Sequence, residues 1–596
     1  ATLLGFAVGL ARLSPNVLLR GAARGYVELL RNVPLLVQLL FWYALLLNAL
    51  PPVQSAWQGL GAVLSNRGLV LPIGGTPLLG RFDYEGGWTL STELLTLVLG
   101  LSTYTSAYVG EIVRGGLLSV PLGQREAATA LGLNRGAIVL LIVLPQGLRA
   151  MLPPLTSWYL NTVKNSSLAI AVGYPDLVSV ADTIINQTGQ AIEGVALIIV
   201  VYLAVNLVLS AAVNAYNTRI ARRGAAPGVT TPAPATPVPR WQDLRPWTRR
   251  YLASTPGNAA TSLAIAVFAA WIVYRALDWT WFSAVFGADG AACRVEGSGA
   301  CWPFLAENYR LILFGLYPGD EHWRMELLVV LFVGLLAISF WRRVWGAPLG
   351  VLWLGGLAAM YLLLAGGLFG LESVPTEKWS GLPLTLWLAT LAVVGAFPLA
   401  VALALGRRSR APVTRAICTG FIELVRGIPL LAVLFMAAVM LPLFMPSGVE
   451  LGSLARVQIA LTLFTAAYMA EAIRGGLQAV PPGQLEAARA LGLTAFQASR
   501  TVVLPQALRA SLPGLVNTAI SEVKNTTLVL IVGMFDLLQT TRQAFVAVEW
   551  RPYFVEAYAF TAAVFFLLCF TISQLSLKLE RHLESGSSRA AGLSKA

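Results

Sequence analysis

Apolar residues fall into long runs along this chain, and the polar residues gather in short breaks between them. Runs able to cross roughly 30 Å of hydrocarbon as helices recur throughout, at a rise of about 1.5 Å per residue. They predict spans near 26–49, 92–112, 152–174, 191–214, 259–277, 326–341, 347–370, 384–405, 417–446, 455–473, 511–533 and 555–576. The stretch Ala1 to Ala11 is apolar but too short to span and has no initiator Met. The pattern therefore predicts an all-α integral membrane protein of about thirteen transmembrane helices, beginning inside a first helix that is truncated.

The breaks carry most of the charge, and their signs give a topology. Arginines cluster in alternate loops: Arg12, Arg20 and Arg24; Arg114, Arg125, Arg135 and Arg149; Arg219, Arg222 and Arg223; Arg342 and Arg343; Arg407, Arg408 and Arg410; Arg474, Arg489, Arg500 and Arg509. By the positive-inside rule these loops are cytoplasmic, as is the C-terminal tail with Lys578 and Arg581. A net charge of +13 would raise the question of nucleic acid on a soluble protein. Here, with 57% hydrophobic and 12% charged residues and a mean hydropathy of +0.70, the excess is accounted for by membrane topology, and no nucleic-acid partner is expected. Cys418 and Cys569 lie in or beside spans, whereas Cys293 and Cys301 share an outer loop, where a disulfide and two free thiols both stay open.

Glu111 to Asp176 and Glu471 to Asp536 match at 33 of 66 positions, at a constant offset of 360. The matches concentrate in polar and turn-forming residues, whereas chance similarity between apolar segments would mostly pair Leu with Leu and Val with Val. The segment is a duplicated working part. A second match, Gly25 to Leu36 with Gly420 to Leu431, has an offset of 395, and the difference is an insertion in an outer loop around Pro51 to Gly87. Glu28 with Arg31 and Glu423 with Arg426 stand three apart on one helix face, as an interfacial anchor or in a direct role in transport. These matches divide the chain into a first half at 1–220 and a Pro/Ala-rich cytoplasmic linker at 221–250. Additional N-terminal helices and an external loop follow at 251–380, and a second five-helix core at 381–596.

After Pro121 a short helix of good formers stops at Gly132. A second amphipathic stretch then breaks at Pro145 and re-enters the membrane after Pro153 and Pro154. The result is a compact cytoplasmic knob able to transmit force. The segment resembles the EAA loop of the membrane subunits of ATP-binding-cassette importers, through Glu126, Ala127, Ala128, Gly132, Ile142, Leu144 and Pro145. The second copy has Glu486, Ala487, Ala488, Gly492, Leu504 and Pro505, with Val502 where the pattern has Ile. The phrases YVELLRNVPLL, YVGEIVRGGL, VPLGQREAA and VKNSSL are similar to the polar-amino-acid branch, the histidine, glutamate and general L-amino-acid permeases.

That resemblance implies two permease halves on one chain in the bacterial cytoplasmic (inner) membrane. They would carry polar or general L-amino acids delivered by an external amino-acid-binding protein. Two cytoplasmic ATPase subunits, coupled through both EAA loops, would supply ATP and Mg. The chain is expected to bind no cofactor or metal and to be no enzyme: none of its five lysines lies in a GxxxxGK[ST] phosphate loop. The rival readings are an ion-gradient-driven secondary transporter built from parallel repeats and a membrane sensor or scaffold.

Polar groups inside a span are costly unless they face a cavity or a partner helix. Asn161, Lys164, Asn165, Ser166 and Ser167 in one half, and Ser521, Glu522, Lys524, Asn525, Thr526 and Thr527 in the other, are thus the candidate substrate pathway. They offer donors for a carboxylate and acceptors for an ammonium, and Thr162 against Glu522 makes the halves unequal. The same groups could instead bond across helices to hold the halves together, or Lys164 and Lys524 could snorkel inward to Glu111 and Glu471. The pairs Glu111–Arg114 and Glu471–Arg474 are expected to clamp the base of each loop, or to gate.

Overall fold

The computed structural model describes residues 1–80, 83–221, 252, 254–287, 290–295, 297–446 and 448–593. The expected linker lies, from residue 222 onward, outside the described residues. In the first half the helices are α1 (Thr2–Leu13), α2 (Val17–Asn32), α3 (Leu35–Ala49), α4 (Thr92–Leu118), α5 (Leu122–Ala130), α6 (Leu144–Asn165), α7 (Leu177–Thr188) and α8 (Ala191–Ala221). Then come α9 (Pro256–Leu277), α10 (Trp302–Phe314), α11 (His322–Ser339), α12 (Ala347–Ala365), α13 (Gly381–Gly406) and α14 (Pro412–Gly427). They are followed by α15 (Leu430–Leu443), α16 (Ser453–Ala479), α17 (Pro482–Ala490), α18 (Leu504–Asn525), α19 (Leu537–Ala544) and α20 (Phe554–Leu593).

Among the described residues nine helical segments are long and apolar enough to cross a membrane, or eleven if each of two bent pairs is one span. These segments do not confirm the exact count of thirteen. α1 is short, and α4, though 27 residues long, is rich in Ser, Thr and charged residues. The bent pairs also correct the straight spans expected at 26–49 and 417–446. α2 meets α3 at 103°, and α14 meets α15 at 109°. Val33 and Ile428 each precede a proline, which drives them to extended backbone and ends the helix there. α2 is thereby left an amphipathic helix with Arg20, Arg24 and Arg31 on it.

The expected break at Pro145 does not occur either. A π turn, Ile138–Val143, runs straight into α6, and Ser499–Val503 runs into α18 in the same way. A proline lacks the N–H and its ring crowds the carbonyl four residues back. For Pro145 and Pro505 those carbonyls belong to Leu141 and Thr501, inside the wider π turns, so the helix continues.

Two compact units form: Ala1–Ser179 with Ala204–Phe304, and Val180–Leu203 with Leu305–Ala596. In the first, α1 lies along α4 by close approach of small residues. A Cβ on Gly5 would fall 2.5 Å from Val109, and one on Gly9 2.7 Å from Val113. Asn16 caps α2 through Leu18 and Leu19 N–H, and its Nδ2 reaches Asn258 Oδ1 and Ser262 Oγ at 2.7 Å, which fastens α9 to this unit. The insertion in the outer loop is ordered as strands β1 (Trp57–Gly59), β2 (Ala62–Ser65), β3 (Gly68–Leu71), β4 (Leu78–Leu79), β5 (Tyr84–Glu85) and β6 (Trp88–Ser91). They pair antiparallel in the order β1-β2-β3-β6, with β4-β5 apart. The run-by-run pattern had given no strand. Cys293 and Cys301 are joined as a disulfide.

In the second unit Ala396, Ala400 and Ala404 of α13 pack on Ala466 and Ala470 of α16, with Ala507 of α18 closing the cluster. Ile185, Ala191 and Val195 are buried against Met436, Val439 and Met440. That contact draws residues 180–203 into this unit. Arg324, fully buried in α11, donates to the carbonyls of Leu363 and Glu372 at 2.9 Å and so holds the turn after α12.

Candidate functional site

The two EAA helices close in the same way. α5 and α17 each end on a glycine in the left-handed region, Gly132 (φ 78°) and Gly492 (φ 84°). Leu133 N–H then returns to Ala128 O at 3.2 Å and Gly132 N–H to Thr129 O at 2.9 Å. The second copy repeats this with Leu493 to Ala488 at 3.2 Å and Gly492 to Arg489 at 2.9 Å. This is the two-bond closure that satisfies the last carbonyls of a helix. The two alanines of each motif divide their work: Ala128 and Ala488 are buried (3% and 4% exposed), whereas Glu126, Ala127, Glu486 and Ala487 face outward. Beside them Leu131 and Leu491 are more than four-fifths exposed. Each knob therefore presents a small apolar face rimmed by a carboxylate.

The base of each knob is fixed by arginine on backbone. Arg125 donates to Leu117 O at 2.8 Å, and Arg408 donates to the equivalent Leu477 O at 3.3 Å. Just above, the expected Glu–Arg pairs are parts of larger clusters. Glu111 is held by Arg12 and by Arg114, whose Nε donates at 3.0 Å. Glu471 is ringed by Arg407 at 3.3 Å, Arg426 at 3.4 Å and Arg474, whose Nε donates at 2.9 Å. Arg407 also binds Glu423 at 2.6 Å, and Arg24 approaches Glu28 at 4.0 Å. Arg31 sits 5.0 Å over the ring of Tyr108, and Arg426 5.7 Å over that of Tyr468. Arg12 and Arg407, like Glu28 and Glu423 or Arg31 and Arg426, are 395 apart, and Tyr108 and Tyr468 are 360 apart. Both offsets were legible in the sequence, but only the fold brings the groups together.

Farther along α6 and α18 the candidate pathway residues turn out of α-helix into 3-10 helix, Ser166–Val172 and Thr526–Val532. Their hydroxyls bond back to the preceding turn: Ser166 to Val163 O at 2.7 Å, Ser167 to Lys164 O at 2.7 Å, Thr526 to Val523 O at 2.8 Å and Thr527 to Lys524 O at 2.7 Å. These hydroxyls have spent their protons and remain acceptors. The donors are Asn161, Lys164 and Asn165 in the first set and Ser521, Lys524 and Asn525 in the second. Asn161, Lys164 and Asn165 are half-buried, whereas Glu522, Lys524, Thr526 and Thr527 are buried and Ser521 and Ser166 are exposed. Thr105 meets Thr162 at 3.2 Å, so Lys164 stands near the level of Thr105 rather than of Glu111, six residues closer to the arginine-rich end. Glu111 and Glu471, offered as inner partners of the lysines, are held by arginines.

The halves differ where the residues differ. Glu522 Oε2 accepts from Asn525 at 3.2 Å, while its Oε1 is buried near the Thr465 hydroxyl with no partner within 3.5 Å among the described residues. In the first half Trp158 stacks on Tyr108 at 3.6 Å between ring centroids, and Tyr108 and Tyr104 bond through their hydroxyls at 3.1 Å. Sequence reasoning missed this aromatic group, although Tyr104 and Tyr108 are one helical turn apart. Beyond the polar turns Asp176 and Asp536 cap α7 and α19; Asp536 accepts from Leu538 and Gln539 N–H at 3.2 and 3.0 Å. Burial raises both carboxyls, that of Asp536 to about 7, against the lowering pull of those backbone bonds. Among the described residues no three His, Cys, Asp or Glu side chains group as a metal site.

The family described as "Binding-protein-dependent transport system inner membrane component" matches residues 1–222 and again 396–583. The chain belongs to that family. It carries two permease halves, and each match contains one of the EAA knobs. It is 41% identical over 349 residues to the inner membrane amino-acid ABC transporter permease protein YhdY of Escherichia coli, over 57% of this chain and 93% of that protein. It is 34% identical over 405 residues to the glutamate/glutamine/aspartate/asparagine transport system permease protein BztC of Rhodobacter capsulatus, again over 57% and 93%. The general L-amino acid transport system permease protein AapQ of Rhizobium johnstonii is 38% identical over 287 residues, covering 37% of this chain and 72% of that protein. A crystal structure of an amino acid ABC transporter with histidines shares 34% identity over 33% of this permease, at a TM-score of 0.31.

Proposed function

We propose that this permease imports polar or general L-amino acids, with energy supplied by two cytoplasmic ATPase subunits docked on its two knobs and substrate supplied by an external binding protein. The observation that carries the reading is the duplicated knob: a rigid helix closed at a left-handed glycine, with an exposed Ala127 or Ala487 at its tip and a buried Ala128 or Ala488 beneath. An ion-driven carrier has no use for two such faces, and the relatives named above are amino-acid permeases. The knobs are continuous with α6 and α18 through the π turns, so a push on a knob is transmitted along a stiff rod to the polar turns.

The substrate's carboxylate is taken by Lys164 or Lys524 with the neighbouring Asn side chains, and its ammonium by the hydroxyl oxygens of Ser166, Ser167, Thr526 and Thr527, with Glu522 added in the second half. The buried Glu522 carboxyl, where the first half has Thr162, supports that asymmetry. The charge clusters around Glu111 and Glu471 clamp the inner end of each half, and the C-terminus is cytoplasmic. The test is uptake of a mixed amino-acid panel into proteoliposomes holding the permease with candidate ATPase and binding-protein subunits. Uptake that requires ATP and the ATPase supports the proposal. Equal uptake with the ATPase omitted overturns it.

A further inference from the structure

The turn after α11 and the middle of α20 border an open cavity of about 480 Å³ lined by Phe340, Arg342, Gln574, Leu577 and Lys578. Its position along both elements is that of a membrane boundary. The apolar segment of α11 ends at Ser339, and that of α20 at Glu580. Trp341 is largely exposed beside the cavity, and Trp345 donates to Ser339 O at 2.9 Å, a placement that suits indole at the edge of hydrocarbon.

The lining has two chemistries. Arg342 and Lys578 are exposed cations, and among the described residues neither is within 4.0 Å of a carboxylate. Lys578 Nζ instead rests 5.3 Å from the ring centre of Phe340. Arg343 adds a third exposed cation on the same turn. The acid nearest along α20, Glu580, is occupied by Ser576 Oγ at 2.9 Å. Gln574 contributes an amide, and Phe340 and Leu577 contribute apolar wall. Uncompensated positive charge beside apolar surface at a membrane boundary matches an amphiphile with an anionic head. Basic groups near a membrane surface are attracted to anionic lipid.

We propose that this cavity binds the headgroup of an anionic phospholipid, with its phosphate between Arg342 and Lys578 and its first acyl methylenes against Phe340 and Leu577. One lipid would then join α11, an additional helix, to α20, the last helix of the core. A soluble phosphate would meet the same cations but gain nothing from the apolar wall.

The experiment is thermal unfolding of the full chain in mild detergent with added phosphatidylglycerol, phosphatidylcholine or sodium phosphate. Native mass spectrometry counts retained lipid alongside. Phosphatidylglycerol should raise Tm by several degrees more than phosphatidylcholine, and phosphate should leave it unchanged. The pair Arg342→Gln with Lys578→Gln should lose at least half of that increment and one retained lipid, while Arg342→Lys with Lys578→Arg keeps both. Equal shifts with the two lipids, a phosphate shift as large as the lipid's, or full retention by the Gln pair would each overturn the proposal. If the Gln pair does not fold, the three-ligand comparison on the unaltered chain decides alone.

Discussion

The two alanines of each EAA motif are adjacent in sequence and opposite in consequence. Ala127 and Ala487 face out, so Ala127→Glu with Ala487→Glu should abolish co-purification of the ATPase while the melting temperature moves by less than about 2 °C. Ala128 and Ala488 are covered by their own knob. A glutamate there buries an unpaired charge, and Ala128→Glu should lower stability by roughly 3 kcal/mol or more, seen as aggregation during detergent extraction. Asp536 makes a separate prediction. Its folded pKa of about 7 exceeds the unfolded carboxylate value near 3.9, so the folded state holds the proton more tightly. Stability contributed by that proton is full below about pH 4 and is lost as pH rises through 7. The melting temperature should fall between pH 5 and 8, and Asp536→Asn should flatten that slope. A steep fall that persists in the Asn variant would assign it to other groups. The polar runs VKNSSL and VKNTTL were legible as residues, but their hydroxyl geometry was not. Whether a serine proton points to a ligand or to its own helix depends on backbone torsion, and the 3-10 turn directs it inward.

At the scale of elements, the sequence reading carried spans through Pro34 and Pro429 and expected a break at Pro145, and the structure reverses both. Pro34 and Pro429 do end helices, because the residues before them are free to become extended. Pro145 and Pro505 do not, because a π turn lies under each ring. The charge clusters belong to this scale too, since one ties α1 to α4 through Arg12 and Glu111 and the other ties the end of α13 to α14 and α16 through Arg407. Glu471 lies among Arg407, Arg426 and Arg474, and Glu111 is held by Arg12 and Arg114 with Arg31 adding its charge. Glu471→Gln and Glu111→Gln should therefore each destabilise the permease, by roughly 1–2 kcal/mol at these partly exposed positions. Combining Glu471→Gln with Arg407→Gln should cost less than the sum of the two, as a shared network requires. Additive losses would mean the side chains act independently. The small sheet of β1-β2-β3-β6 escaped the pattern because strands of three or four residues leave no periodicity to count.

For the whole molecule, transport is the measurement that matters. In vesicles with ATP inside, an ionophore that collapses the ion gradients should leave initial uptake within about twofold, whereas omission of the ATPase should reduce it to background. Loss of uptake with the ionophore alone would point to an ion-driven carrier. The sequence by itself determined that the chain lies in a membrane, that it holds a duplicated working part, and which residues recur at 360 and 395, because hydropathy and repetition are properties of order along the chain. The tertiary structure alone decided which of the recurring charges meet, that residues 180–203 pack with Met436, Val439 and Met440, that two spans are bent, and that Glu522 is buried. Those outcomes depend on which surfaces cover one another, and a linear order leaves contacts between distant segments undetermined until the helices pack.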